Sequence, residues 1–339
     1  MTPENPTPPN TTPPKPDAQP LTQAQKASLL LDLHHRDVPL VLINAWDAAS
    51  AAMVAHCGLP AIATSSAALA NALGYPDGQH LPWDEMLHMV KRIAETVQVP
   101  VTADIEAGFA ADLQGLEASI TQIIAAGAVG VNLEDALSGH EHFGQLYSVA
   151  DQVARIQAAR RAGEMEGIHL VINARTDAYW QAGVQPEEAM RNTLERGQAY
   201  LAAGADCIFV PGLRQPGHIK TVVDHLRGVG PNAATQADTK VAVNTDTKSA
   251  VKADTKAAVN AATQAASKAA VNILAGPGVP PIPELARLGV KRVSYGSGPH
   301  RAAMGLLRRM AHEANAAGTY AALTEGAVPY AEINGLFGK

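Results

Sequence analysis

Apolar and polar positions along this chain follow two alternating rhythms. Short apolar runs stand at Leu40–Asn44, Ala61–Thr64, Val99–Asp104, Val129–Leu133, His169–Ala174, Cys207–Val210, Val271–Leu274 and Arg292–Tyr295. Runs this short, rich in Val, Ile and Ala and bounded by Gly, Pro or charged residues, suit strands buried on both faces. Between them the spacing turns helical. Asp84–Thr96 places Met86, Met89, Val90 and Ile93 on one face, and Asp112–Ala126 groups Leu116, Ile120, Ile123 and Ile124 before Gly127. Ser148, with Asp151 three residues on, opens a helix that Gly163 is expected to end. Pro186, followed by Glu187 and Glu188, opens another that Gly204 closes. Strands alternating with helices mean parallel βαβ units, and eight of them predict an α/β fold, a closed (β/α)8 TIM barrel with an N-terminal helix and a C-terminal helical extension. Leu29, Leu30 and Leu33 place the N-terminal helix within Leu21–Arg36, as a lid across the barrel bottom. A doubly wound open sheet is the competitor, but such sheets more often have fewer strands.

Two stretches break the rhythm. Residues 1–20 are Pro, Thr and Asn with little to bury, which predicts a disordered tail ahead of a barrel domain over 21–339. A low-complexity Ala/Thr/Lys insertion interrupts that domain at 230–270, with Asp-Thr-Lys recurring every eight residues from Asp238, Asp246 and Asp254. An eight-residue period drifts by roughly 80° per repeat on a helix, so its valines wind around the axis and form no stripe. The segment reads as a solvated, partly helical or disordered connection on the face opposite the catalytic loops. Removing Ala234–Ala266 is expected to leave turnover nearly unchanged.

With 339 residues, 47% of them hydrophobic, the chain can bury one large core. A net charge of −6 leaves no electrostatic footprint for nucleic acid, and no apolar run approaches the roughly 18 residues of a membrane span. Two cysteines, Cys57 and Cys207, both in apolar settings, read as buried thiols in a reducing cytoplasm.

Chemistry collects where the strands end. VPVTA runs into Asp104 and Glu106, and VGVNL into Glu134 and Asp135. Any one of these acids could cap a helix or pair with a base. Carboxylates converging at two adjacent strand ends call for a counter-charge, and a hard divalent cation held by carboxylates and waters supplies it. Arg175, ending the fifth strand, has the planar fork that holds a carboxylate, and Ser65 and Ser66 after the second strand can hold it from the other side. A small 2-oxo or 2-hydroxy acid chelating the metal fits this set, the cation stabilising an enolate.

The segments NAWDAASAAMVAHCGLPAIATSSAALANALGYPDG, VTADIEAGFA, VNLEDA, INARTDAY, AGADCIFVPG and VNILAGP, in that order, resemble the isocitrate lyase/phosphoenolpyruvate mutase superfamily over roughly residues 25 to 315. The resemblance implies a barrel that assembles as a homotetramer with an exchanged C-terminal helix. It implies Mg²⁺, with Mn²⁺ as a substitute, held largely through water by Asp77, Asp104, Glu106 and Glu134. It implies substrate carboxylate binding by Ser65, Ser66 and Arg175, with Asn272 a polar contact and Trp46 an aromatic residue over the substrate; Arg175, Glu134 and Asp104 would carry the catalysis. Two departures bear on substrate class. Glu106 stands where the family commonly has Asp, and the loop ALSGHEHFGQLY after the fourth strand has neither the Cys and Lys of the lyase loop nor the Lys-Thr-Asn of the phosphonate enzymes. The expectation is a carbon–carbon lyase near the oxaloacetate decarboxylases and methylisocitrate lyases, acting on a small carboxylic acid without nucleic-acid or membrane partners. Phosphonate mutase or hydrolase chemistry is the second reading, and a barrel scaffold without catalysis the third.

Other chemistry-bearing residues have plainer readings. His140 and His142 could ligate metal or donate a proton, but read first as a solvated loop. His34 and His35 read as helix surface, Cys57 and Cys207 as core, and Met86, Met89 and Met304 as core. Gly296–Gly298 follows the last strand, where barrels often bind phosphate, but serves as well as a tight turn.

Overall fold

The computed structural model describes residues 20–137, 144–227, 229 and 269–337. The Pro-rich tail to residue 19, the insertion from 230 to 268, and His140 and His142 lie outside the described residues.

Nine parallel strands form a nearly closed barrel wrapped by helices. In chain order the strands are β1 (Leu40–Leu42), β2 (Asn44–Ala45), β3 (Ile62–Thr64), β4 (Val101–Asp104), β5 (Gly130–Glu134), β6 (Val171–Arg175), β7 (Cys207–Phe209), β8 (Ala270–Leu274) and β9 (Arg292–Ser294). The eight expected runs are all present; the ninth strand arises because the first stave is split at Ile43. β1 pairs with β9 and β2 with β3. Asn44 holds the split stave at both edges: its Nδ2 donates to the Thr64 carbonyl at 2.7 Å, and its Oδ1 accepts from the backbone N–H groups of Tyr295 and Gly296 at 2.9 and 2.8 Å. β3, β4 and β5 are buried along their whole length, as strands covered by helices outside and side chains inside must be.

The helices are α1 (Gln23–His35), α2 (Ala48–His56), α3 (Ser66–Ala72), α4 (Trp83–Thr96), α5 (Leu113–Ala125), α6 (Val149–Met165), α7 (Pro186–Ala202), α8 (Pro216–Leu226), α9 (Ile282–Leu288), α10 (Gly298–Ala317), α11 (Ala321–Thr324) and α12 (Tyr330–Gly335). Their ends follow side-chain chemistry. Thr22 and Gln25 form a capping box on α1, Asp112 caps α5 and Ser148 caps α6. α6 runs past the expected stop: Gly163 lies inside it, where a Cβ would come within 2.8 Å of Leu170 Cβ, and the left-handed turn falls on Gly167 at φ +72°. The glycine is there for close packing on the next strand, not for termination.

Below the strands, α1 closes the barrel bottom, as expected, but His34 is not on its surface. It is fully buried. Its Nδ1 lies 2.7 Å from the Leu30 carbonyl and its Nε2 lies 3.3 Å from Arg292 Nη1, so Nδ1 carries the proton and Nε2 accepts. Burial and the adjacent Arg292 push the His34 pKa down to about 3, which keeps the ring neutral. Arg292 is itself fully buried and donates to Asn132 Oδ1 at 3.1 Å; Asn173 donates to the same oxygen at 2.7 Å. A polar layer thus fills the barrel axis beneath the site. Two further readings change. Cys57 is exposed at the end of α2, while Cys207 is buried as expected; Met304 is 44% exposed on α10, while Met86 is buried.

The C-terminal extension is present, and it leaves the barrel. His300 is the one buried residue of α10, and Met304, Leu307, Tyr320, Leu323, Tyr330 and Phe337 are exposed along α10 to α12. Among the described residues no helix is long and apolar enough to cross a membrane.

Candidate active site

The strand ends open into a cavity of about 980 Å³, whose lining includes Ser65, Ser66, Asp77, Asp104, Asn132, Arg175 and Trp180. Parallel register decides which side chains meet there. Asp104 is paired with Asn132, and Glu134 with Arg175, on neighbouring strands. The Glu134–Arg175 pair becomes an ion pair, Oε2 to Nη1 at 2.6 Å. The other edge of the guanidinium grips Asp177, Nε to Oδ1 at 2.6 Å and Nη2 to Oδ2 at 2.8 Å. Two of the five guanidinium N–H groups are therefore committed to Asp177, the Glu134 contact is an ion pair in which Oε2 accepts no hydrogen bond, and the Nη1 edge remains for another anion.

Asp104 is the hinge of the acid side. Its Oδ2 accepts from both the backbone N–H of Ser66 at 3.0 Å and the Ser66 hydroxyl at 2.9 Å, while its Oδ1 is buried with no hydrogen-bond partner. Glu106 is also buried, and its Oε2 accepts from the Gln79 backbone N–H at 2.8 Å. Both Glu106 and Gln79 adopt left-handed backbone, at φ +51° and +61°. Non-glycine residues rarely do so, and such conformations persist where surrounding contacts hold them. Here the two loops hold each other, since Gln79 Oε1 accepts from the Phe109 N–H at 2.7 Å.

The acids raise one another. Burial, then the charges of Asp77 and Asp104, pushes Glu106 up from 4.5 to about 8. Burial and Asp104 also raise Asp77. Glu134 is raised by burial, against the pull of Arg175, with Asp177, Asp104 and Glu106 adding to the rise. Carboxyls that push each other's proton affinity up, beside an acceptor with no donor, form an arrangement that a cation relieves. No three His, Cys, Asp or Glu side chains among the described residues gather as direct ligands for one ion. The donor set therefore fits a cation held at Asp104 with water filling most of its shell, the manner Mg²⁺ tolerates well.

Several expected residues lie elsewhere. Asp135, adjacent to Glu134 but on the other face of the strand, is structural: its Oδ2 accepts from Arg196 at 3.0 Å and from the Tyr200 hydroxyl at 2.7 Å. Ser65 does line the cavity, but its hydroxyl caps α3 by accepting from the Ala68 N–H. Asn272 is fully buried, exchanges hydrogen bonds with Ser294 and is not among the lining residues. Glu106, Glu134 and Trp46 do not line the cavity either; Trp46 packs edge-on against His300, ring centroids 5.3 Å apart. The aromatic side chains that do line it are Trp180, Phe209 and Tyr295, with the Arg175 guanidinium 5.0 Å from the Trp180 ring centroid. Asp177 is one of the polar residues expected at the end of the fifth strand, and Trp180, which follows INARTDAY, could have been drawn from the same motif. Arg214, Arg301, Arg308 and His300 also line the cavity, and no spacing signal marked them.

The phosphoenolpyruvate phosphomutase family profile matches residues 30–250 and 249–315. An uncharacterized protein of Mycobacterium tuberculosis is 28% identical over 302 residues, 89% of this chain and 93% of its own length. The 2-methylisocitrate lyase of Salmonella typhimurium is 31% identical over 179 residues, 51% of this chain and 58% of that enzyme. Among solved structures, a candidate lyase/mutase from Burkholderia cenocepacia superposes with a TM-score of 0.75 at 30% identity, covering 94% of this chain and 97% of the other. A phosphonopyruvate hydrolase holding oxalate and Mg²⁺ shares the fold, with a TM-score of 0.69 at 24% identity over 92% of this chain and 94% of that one.

Proposed function

Since the chain belongs to the phosphoenolpyruvate phosphomutase family, within a superfamily of lyases and mutases, we propose that it is a Mg²⁺-dependent carbon–carbon lyase for a small 2-oxo or 2-hydroxy carboxylic acid. The observation that carries this reading is the buried, partnerless Oδ1 of Asp104, which lines the same cavity as Arg175 and whose charge helps raise the neighbouring Asp77 and Glu106. Asp104 would hold the ion, with Asp77, Glu106 and Glu134 taking its waters. When bound, the cation supplies electrostatic stabilisation of an enolate oxygen. Arg175 binds the substrate carboxylate through the N–H groups that Asp177 leaves free, while the hydrogen bonds to Asp177 and the ion pair with Glu134 keep the guanidinium plane fixed. Ser66 orients Asp104 through paired donors, which leaves Oδ1 as the free end. The Trp180 ring, 5.0 Å from the guanidinium, adds a cation–π contact that helps hold its position.

The 2-methylisocitrate lyase relatives favour the carbon–carbon reading. Phosphonate chemistry through the same enolate is the second reading, favoured by the family the profile describes. Incubation with Mg²⁺ and oxaloacetate, methylisocitrate, isocitrate or phosphonopyruvate, followed by NMR of the products, separates the two. Release of pyruvate or succinate from a carbon acid supports the lyase; turnover of phosphonopyruvate alone would replace it with the second. The exposed apolar side chains of α10 to α12 support a homotetramer with an exchanged C-terminal helix as part of this reading, in a cytoplasmic setting. Sedimentation analysis checks the assembly, and a monomer at micromolar concentration would refute it.

A further inference from the structure

The cavity has two unlike sides. One is the acid group around Asp104. The other is the wall formed by the start of α10 and the loop after β7. His300 stands in that wall, and it is 5% exposed. Its Nδ1 is occluded from solvent and has no hydrogen-bond partner. A buried imidazole nitrogen without a partner forfeits a hydrogen bond it had in water, so its position beside the cavity calls for a ligand. Trp46 fixes the ring, edge-on at 73°. Around it the wall is cationic. Arg214, Arg301 and Arg308 line the same cavity and make no ion pair among the described residues. His300 also sits in the first turn of a twenty-residue helix whose N-cap, Ser297, makes no side-chain cap.

We propose that His300 is a specificity-determining residue that contacts the second, anionic end of the substrate, while the first end lies at the acid side of the cavity with Arg175. This rests on the function proposed above and narrows it: the substrate carries an anionic oxygen group at each end. That group is a carboxylate or a phosphonate, since the wall's donors suit either.

Calorimetric titration of the full-length protein in Mg²⁺ tests this with three probes: oxalate, which fills only the metal end, 3,3-difluorooxaloacetate, which adds a carboxylate end, and phosphonopyruvate, which adds a phosphonate end. His300→Phe keeps the ring volume and the Trp46 contact but removes both nitrogens; His300→Gln restores a polar group. The expected result is oxalate affinity within twofold of wild type in both variants. The better of the two longer probes should bind about 10- to 100-fold more weakly to His300→Phe, the range for losing a hydrogen bond to a charged group, with His300→Gln recovering most of it. Which longer probe falls identifies the end group. Equal losses for oxalate and the longer probes, or no loss for either longer probe, would overturn the assignment. So would wild-type protein that binds oxalate but neither longer probe. Wild-type protein that binds none of the three would overturn the metal–carboxylate reading beneath it.

Discussion

Glu106 offers the sharpest energetic test of the acid cluster. It is buried, has one hydrogen bond from the Gln79 N–H, and is pushed from 4.5 to about 8 by burial and by Asp77 and Asp104. Because the folded value is raised, the unfolded chain loses this proton near pH 4.5 while the native protein keeps it to about 8, and native stability falls as pH rises between the two. His34 acts in the opposite sense at lower pH. Its folded value is about 3 against 6.5 in the open chain, so its neutral burial costs stability only below 6.5. The interval from 6.5 to 8 therefore separates Glu106 from His34. One carboxyl contributes at most about 1.4 kcal/mol per pH unit, so Glu106 accounts for about 2 kcal/mol across that interval. Glu106→Gln keeps the shape and an acceptor for Gln79 but removes the charge. Urea unfolding in EDTA at pH 6.5 and pH 8 is the assay. Wild type should lose about 2 kcal/mol more than the variant over the interval, and saturating Mg²⁺ should return wild-type stability at pH 8. Parallel behaviour of the two proteins in EDTA would refute the claim that these acids share one desolvated field.

Arg175→Gln should lower turnover by about 10²–10³-fold while the circular dichroism spectrum stays native, and wild-type rates would remove Arg175 from the site. Ser66→Ala keeps the backbone N–H to Asp104 but drops the 2.9 Å hydroxyl bond; Mg²⁺ affinity by calorimetry should fall about tenfold, and unchanged affinity would show the hydroxyl is incidental. Tyr200→Phe removes the 2.7 Å hydrogen bond to Asp135 and should cost about 1–3 kcal/mol of unfolding free energy with turnover unchanged; a comparable loss of turnover would move Asp135 into the catalytic group.

The barrel was legible because its signal is local. Eight apolar runs between capped helices determine the strands, and the acids that end two of them mark the open face. Adjacent acids were harder to assign. Glu134 and Asp135 look alike in sequence, but consecutive strand residues face opposite ways, and the second meets Arg196 and Tyr200, more than sixty residues downstream. The long-range polar layer left no trace either. His34 and Arg292 are 258 positions apart, and a His-His pair at a helix end matches ordinary helix surface until the barrel encloses it. Cys57 reads as core by its Ala-rich neighbours, yet the helix end turns it outward. The cationic wall with His300 comes from segments on either side of the insertion, so only the closed fold brings it together.

The proposed chemistry depends on one divalent ion held at Asp104, with carboxyls from separate strands around it and Arg175 opposite. The most direct measurement is an anomalous difference map from a crystal soaked with Mn²⁺ and oxalate. A single strong peak is expected in the cavity, with Asp104 Oδ1 its nearest protein oxygen, water between it and Asp77, Glu106 and Glu134, and oxalate between the ion and Arg175. A cavity with no peak, or a peak held by residues away from Asp104, would contradict it.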